Sequence, residues 1–138
     1  KLTKHKFMGT AAEKANYGVY FTEPHALQVV DMDGDRRPDV VTGKMRFAHP
    51  LEENDPDPRG VPYIYVFKNT ADAAAPGGVK FVPMRVDGVD NYSAAAPEGS
   101  PEAGMGVGRQ LAVGHVNGDG IMDICVDTKV GLAVFLGQ

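Results

Sequence analysis

Residues 27–43 read LQVVDMDGDRRPDVVTG, and residues 111–127 read LAVGHVNGDGIMDICVD. Aligned without a gap, Asp31 meets His115, Asp33 meets Asn117, Gly34 meets Gly118, Asp35 meets Asp119 and Asp39 meets Asp123, an offset of 84 residues. In each segment, short apolar runs flank a loop of glycine and side-chain oxygens. Apolar runs bounded by Asp, Asn and Gly signal strand, turn and strand. A repeat of this unit points to an all-β protein.

Working outward, short strands are expected at residues 4–8, 25–30, 39–43, 62–69, 80–86, 110–116, 123–128 and 131–136. Residues 11–20 have weak helical character and read as a connecting turn. In PYIYVFKN, Tyr63, Tyr65 and Phe67 alternate with Ile64 and Val66, so both faces of that strand are apolar and at least one aromatic face is core. Pro83 lacks an N–H, which places its strand at a sheet edge or a bulge. Residues 45–60 contain LEENDPDPRG and prolines at 50, 56 and 58, the composition of an exposed loop. Residues 71–78 form a small-residue linker, and residues 87–108 a long loop rich in Gly, Ala, Pro and Ser. The GMGVG run at residues 104–108 lacks the Gly-Lys-Ser/Thr ending of a phosphate loop and precedes a strand, so it reads as a flexible lead-in. Cys125, inside an apolar strand, is expected to be a small buried hydrophobe.

Composition supports this reading. With 17 Gly and 10 Pro in 138 residues, helix must be the minority. A formal net charge of -4 argues against a nucleic-acid-coating protein. One cysteine excludes an internal disulfide and any multi-cysteine metal site. No apolar run approaches the length of a membrane-spanning helix. The chain starts at Lys1 without an apolar signal region, and is read as a processed chain or a piece of a longer one.

The loops carry the chemistry. A hard cation such as Ca²⁺ takes six to eight oxygens at about 2.3–2.6 Å. Alternate residues of a tight loop can turn carboxylates inward, the glycine between them lets the backbone curl, and a carbonyl followed by a carboxylate closes the shell. In loop one the expected ligands are Asp31, Asp33, Asp35, the Arg37 carbonyl and Asp39. In loop two they are Asn117, Asp119, the Ile121 carbonyl and Asp123, together with His115. Loop one has four carboxylates within nine residues and is the stronger ion site; loop two has fewer charges. The plainer alternative is a polar turn whose aspartates cap backbone N–H groups. Arg36 stands where loop two has Gly120, and a positive φ there costs an arginine on the order of 1 kcal/mol.

The segments around Asp31-Met32-Asp33-Gly34-Asp35 with Asp39, and Asn117-Gly118-Asp119-Gly120 with Asp123, resemble the FG-GAP/VCBS repeats of β-propeller proteins. There a D-x-D-G-D-G-x-x-D loop joins the first two strands of a blade. The flanking PHALQVVDMDGD and GVGRQLAVGHVNGDG resemble a subgroup found in large secreted or periplasmic bacterial proteins. With its strands the likeness covers about half the chain. It implies four-stranded antiparallel blades, Ca²⁺ in the loops, and roles in adhesion, carbohydrate association or assembly. One module over residues 1–138 would then hold two blades. Blade one spans about 22–87 with the insertion at 45–60; blade two spans 104–138 and takes a fourth strand from residues 1–10. Two blades cannot close a ring, so the expected partners are other chains or missing blades, outside the cytoplasm.

The expected function is thus a non-enzymatic, calcium-stabilised binding or assembly module. The alternative is a carbohydrate-active or lyase-type enzyme fragment, with His25, His49 and the acidic loop 52–57 lining a site. A sugar platform would draw on Tyr20 and Phe47 beside that loop. His5, His25, His49 and His115 form no H-E-x-x-H pattern, and no serine sits in a nucleophile elbow.

Overall fold

The computed structural model describes residue 4, residues 18–19, 24–44, 62–87, 95, 104–128 and 131–138. The expected turn at 11–20 (apart from residues 18–19) and loop at 45–60, and His5, Tyr20, Phe47 and His49, lie outside them. So does most of the strand expected at 4–8.

The described residues are all-β, in two antiparallel sheets, neither of them closed. The first runs β1 (His25–Val30), β2 (Asp39–Lys44), β3 (Tyr63–Ala71) and β4 (Val79–Asp87), each strand beside the next. The second runs β5 (Leu111–Gly114), β6 (Asp123–Thr128) and β7 (Gly131–Phe135). A three-residue 3₁₀ turn, Pro76–Gly78, joins β3 to β4. The strand boundaries match the sequence reading to within about two residues. The second sheet has three strands among the described residues, where a fourth was expected from the N-terminus.

Strand alternation builds the core. Val41 of β2, Ile64 and Val66 of β3, Leu111 of β5, and Ile124 and Val126 of β6 are buried together with Val107, so the main core lies between the sheets. The other face of sheet one packs separately: Val19, Val40 and Phe67 are buried against Tyr63, Tyr65 and Phe81. The Tyr63–Tyr65 and Tyr65–Phe67 ring centroids are each 5.9 Å apart. Both faces of β3 are therefore core, which is why that strand shows no polar alternation. Among the described residues β4 is an edge strand, and it carries Pro83, opposite Phe67, where a residue with no N–H is tolerated.

Two expectations need correction. Cys125 is half-buried, not buried, because it faces the outer side of sheet two, where Leu132 is 88% exposed and Val134 48%. The glycine run is no flexible lead-in at Gly106. A Cβ on Gly106 would stand 2.2 Å from the Lys44 carbonyl oxygen and 2.6 Å from Pro62 Cβ. The Val107 N–H donates to the same Lys44 oxygen at 3.3 Å, and Asp87 Oδ2 accepts from the N–H groups of Met105 (3.1 Å) and Gly106 (3.0 Å). This lead-in is clamped against β2 and β4. Two side chains of the first sheet add further ties. Gln28 Nε2 donates to the Leu111 carbonyl at 3.1 Å, and His25 Nδ1 to the Gly108 carbonyl at 2.8 Å.

Candidate metal centre

Loop one joins β1 to β2. Its backbone curls twice into the left-handed region, at Gly34 (φ 77°) and Arg36 (φ 69°). Loop two, between β5 and β6, does the same at Gly118 (φ 79°) and Gly120 (φ 83°). The sequence repeat is thus a conformational repeat, and Arg36 occupies a position that favours glycine. We expect Arg36→Gly to raise the unfolding free energy by about 0.5–1 kcal/mol, the strain relieved being partly offset by glycine's greater freedom when unfolded. A chemical-denaturation midpoint that stays put or falls would refute this account.

Aspartates shape loop one from within. Asp31 Oδ1 accepts from the N–H groups of Gly34 (2.8 Å) and Asp35 (3.2 Å), and Oδ2 from Arg36 (2.7 Å). Asp33 Oδ1 accepts from Asp35 N at 3.2 Å, and Asp35 Oδ1 from Arg37 N at 2.8 Å. Asp39, fully buried at the start of β2, accepts from Met32 N at 2.9 Å and from Asn69 N of β3 at 2.8 Å. Its carboxylate fastens the loop to the third strand. The capping role weighed in the sequence is therefore present, and it holds the carboxylates in place.

Three of them converge. One oxygen each from Asp31, Asp33 and Asp39 lies within 4.8 Å of the others, a grouping that could hold a metal ion. Asp35 stands apart from that group, paired with the Arg37 guanidinium. Arg37 Nε also donates to the Asn69 carbonyl at 2.9 Å. Lys68 Nζ lies 2.5 Å from Asp33 Oδ2. That hydrogen bond holds the Asp33 carboxyl below the usual carboxylate range and raises the Lys68 ammonium. Arg37 and Lys68 are thus cations of the chain itself that relieve carboxylate repulsion.

Lys68 and Asn69 were not found from the sequence. They lie some 30 residues beyond the loop, and only strand register brings them to it. With Val40 opposite Phe67, Lys68 and Asn69 come to the end of β2 where Asp39 begins.

Loop two repeats the scaffold with a different cast. Asp123, fully buried, accepts from Val116 N (2.7 Å) and Asn117 N (3.4 Å) through Oδ2, and from Gly137 N (3.0 Å) through Oδ1. Asp123 thus ties loop two to the chain just beyond β7, as Asp39 ties loop one to β3. The N–H groups of Val116 and Gly137 hold its carboxyl below the usual range, against the opposing effect of burial. Asn117 Oδ1 accepts from Asp119 N at 3.1 Å, and its Nδ2 donates to Asp119 Oδ2 at 2.7 Å. Asp119 Oδ1 accepts from Ile121 N at 2.8 Å. His115 Nδ1 is 2.9 Å from the Ile121 carbonyl oxygen, so the imidazole occupies a carbonyl expected to face an ion. Among the described residues, the potential ligands of loop two form no convergent acidic group like that of loop one.

No family model matches the chain, and neither the curated proteins nor the solved structures offer a match to it.

Proposed function

We propose that the chain is a calcium-stabilised, non-enzymatic module for binding or assembly outside the cytoplasm, built of FG-GAP/VCBS-like, propeller-like repeats. The observation that carries this reading is the approach of Asp31, Asp33 and Asp39 within 4.8 Å, on a loop whose left-handed turns recur in the second repeat. All-oxygen donors on a glycine-bearing loop suit a hard cation, and ligands spaced irregularly along a loop suit the adaptable shell of Ca²⁺ over the strict octahedron of Mg²⁺. Loop one takes the ion; loop two, with fewer carboxylates and its Ile121 carbonyl occupied, binds weakly or serves as a turn. Assembly is supported by the apolar outer side of sheet two, with Leu132 and Val134 exposed. The partner is another chain or further repeats of the same kind.

A calcium titration followed by calorimetry and thermal melting tests the reading. Extracellular modules bind Ca²⁺ with Kd of about 10⁻⁴–10⁻³ M. Several millimolar Ca²⁺ should then stabilise the fold by on the order of 1 kcal/mol or more. Asp33→Ala should remove most of that gain and Asn117→Ala little. Lys68→Met should tighten binding, since the ammonium competes for Asp33 in the metal-free loop. Mg²⁺ should substitute poorly. Equal melting temperatures in chelator and in several millimolar Ca²⁺ would sink the calcium reading.

A further inference from the structure

The two loops, far apart in sequence, meet at one cleft of about 370 Å³. Asp31, Met32 and Asp33 line it from loop one, and His115, Ile121 and Met122 from loop two. His115 Nδ1 lies 2.9 Å from the Ile121 carbonyl oxygen. A carbonyl can only accept, so Nδ1 is the donor, and in the neutral ring Nε2 carries the lone pair. A backbone carbonyl that fixes ring and tautomer in this way is what leaves an imidazole nitrogen ready for a metal. His115 is exposed, so an ion reaches it without unfolding.

Two methionines, Met32 and Met122, also line the cleft. Met32 packs partly against the inter-sheet core and Met122 is half-buried. Three side-chain torsions let a methionine sulfur swing to a common point. One imidazole nitrogen and two thioether sulfurs form a soft donor set, which selects Cu(I) and its analogue Ag(I) and disfavours Ca²⁺ or Mg²⁺. The carboxylates of Asp31 and Asp33 along the same cleft add negative potential that favours a cation. His115 is not in the group Asp31, Asp33 and Asp39 that converges within 4.8 Å, so its ring nitrogen is a donor separate from those carboxylates.

We propose that this cleft binds a soft monovalent cation, Cu(I), through His115 Nε2 and the sulfurs of Met32 and Met122. Its three ligands are not those of the loop-one calcium centre, but Asp31 and Asp33 border both, so Ca²⁺ bound there would oppose the second cation.

Silver ion, redox-inert and with the same ligand preference, is the probe. It is added in chloride-free buffer without Ca²⁺ to the full chain carrying Cys125→Ala, because Cys125 is the one thiol of the sequence and would compete. Methionine methyl groups are ¹³C-labelled and the histidine rings are followed by NMR. At one equivalent, two of the six methionine methyls, those of Met32 and Met122, should shift together with the His115 ring, and the other methionines should not. His115→Ala and Met122→Leu should each weaken Ag(I) binding about tenfold or more. The labelled parent decides the matter even if a variant folds poorly. Uptake only when Cys125 is present, shifts spread evenly over all methionines, or His115→Ala with unchanged affinity would each overturn the proposal.

Discussion

Asp39→Ala, unfolded by urea in the presence of chelator, should lose about 2–5 kcal/mol of stability, because it strips the acceptors from two N–H groups at once. The carboxylate is fully buried and accepts from Met32 N in the loop and Asn69 N in β3. An alanine leaves both donors without this partner and opens a void where β2 begins. Against a total stability of about 5–15 kcal/mol for an ordinary domain, that is a large fraction. Asp33→Ala is the control. Asp33 is exposed and its ion pair with Lys68 is half-exposed and screened by solvent, so its removal in chelator should cost far less than that of Asp39. Chelator matters because both side chains are proposed calcium ligands, and metal loss would otherwise blur the comparison. Equal losses for the two variants would show that Asp39 acts only through an ion and does not fasten the loop to β3.

Gly106→Ala should cost about 2–4 kcal/mol, combining an overpacked contact with a left-handed backbone that alanine resists. Gly106 has φ 63°. A methyl group there would lie 2.2 Å from the Lys44 carbonyl oxygen, which is backbone of β2 and cannot swing aside. Relief requires the lead-in to move off β2. Movement would break the Val107 N–H bond to Lys44 and the Asp87 clamp, and would pull fully buried Val107 from the inter-sheet core. Gly118→Ala is the matched control. Gly118 has φ 79°, but no atom lies within 4 Å of where its methyl group would stand, so it should pay only the backbone term of about 1–2 kcal/mol. A Gly106→Ala loss no greater than that of Gly118→Ala would show that the close approach is not what sets the cost.

Much of this protein follows from local chemistry. The strand boundaries were legible because apolar runs are bounded by Asp, Gly and Pro, which punctuate a chain wherever they stand. The loop repeat was legible for the same reason. Asp31, Asp33 and Asp35 act on N–H groups two to five residues away, so the spacing along the chain carries the geometry. Arg36 was identifiable as strained by comparison with Gly120. What sequence alone could not provide was which carboxylates converge. Asp35 looked equivalent to its neighbours, but its pairing with Arg37 sets it apart from the cluster.

The remainder depended on contacts between residues distant in the chain. Lys68 and Asn69 reach the loop only through the register of β3 on β2. Gly106 is locked because Lys44 and Pro62, more than 40 residues away, arrive beside it. Cys125 looked buried in its strand, yet the strand packs Ile124 and Val126 inward and turns Cys125 to the open side. The cleft shared by Met32, His115 and Met122 exists only because the sheets stack with their loops together. Strands, turns and local loop caps could be read from the order of residues, since neighbours within a few positions set them. Register and sheet packing decided which distant groups meet, because those contacts depend on the relative placement of whole strands.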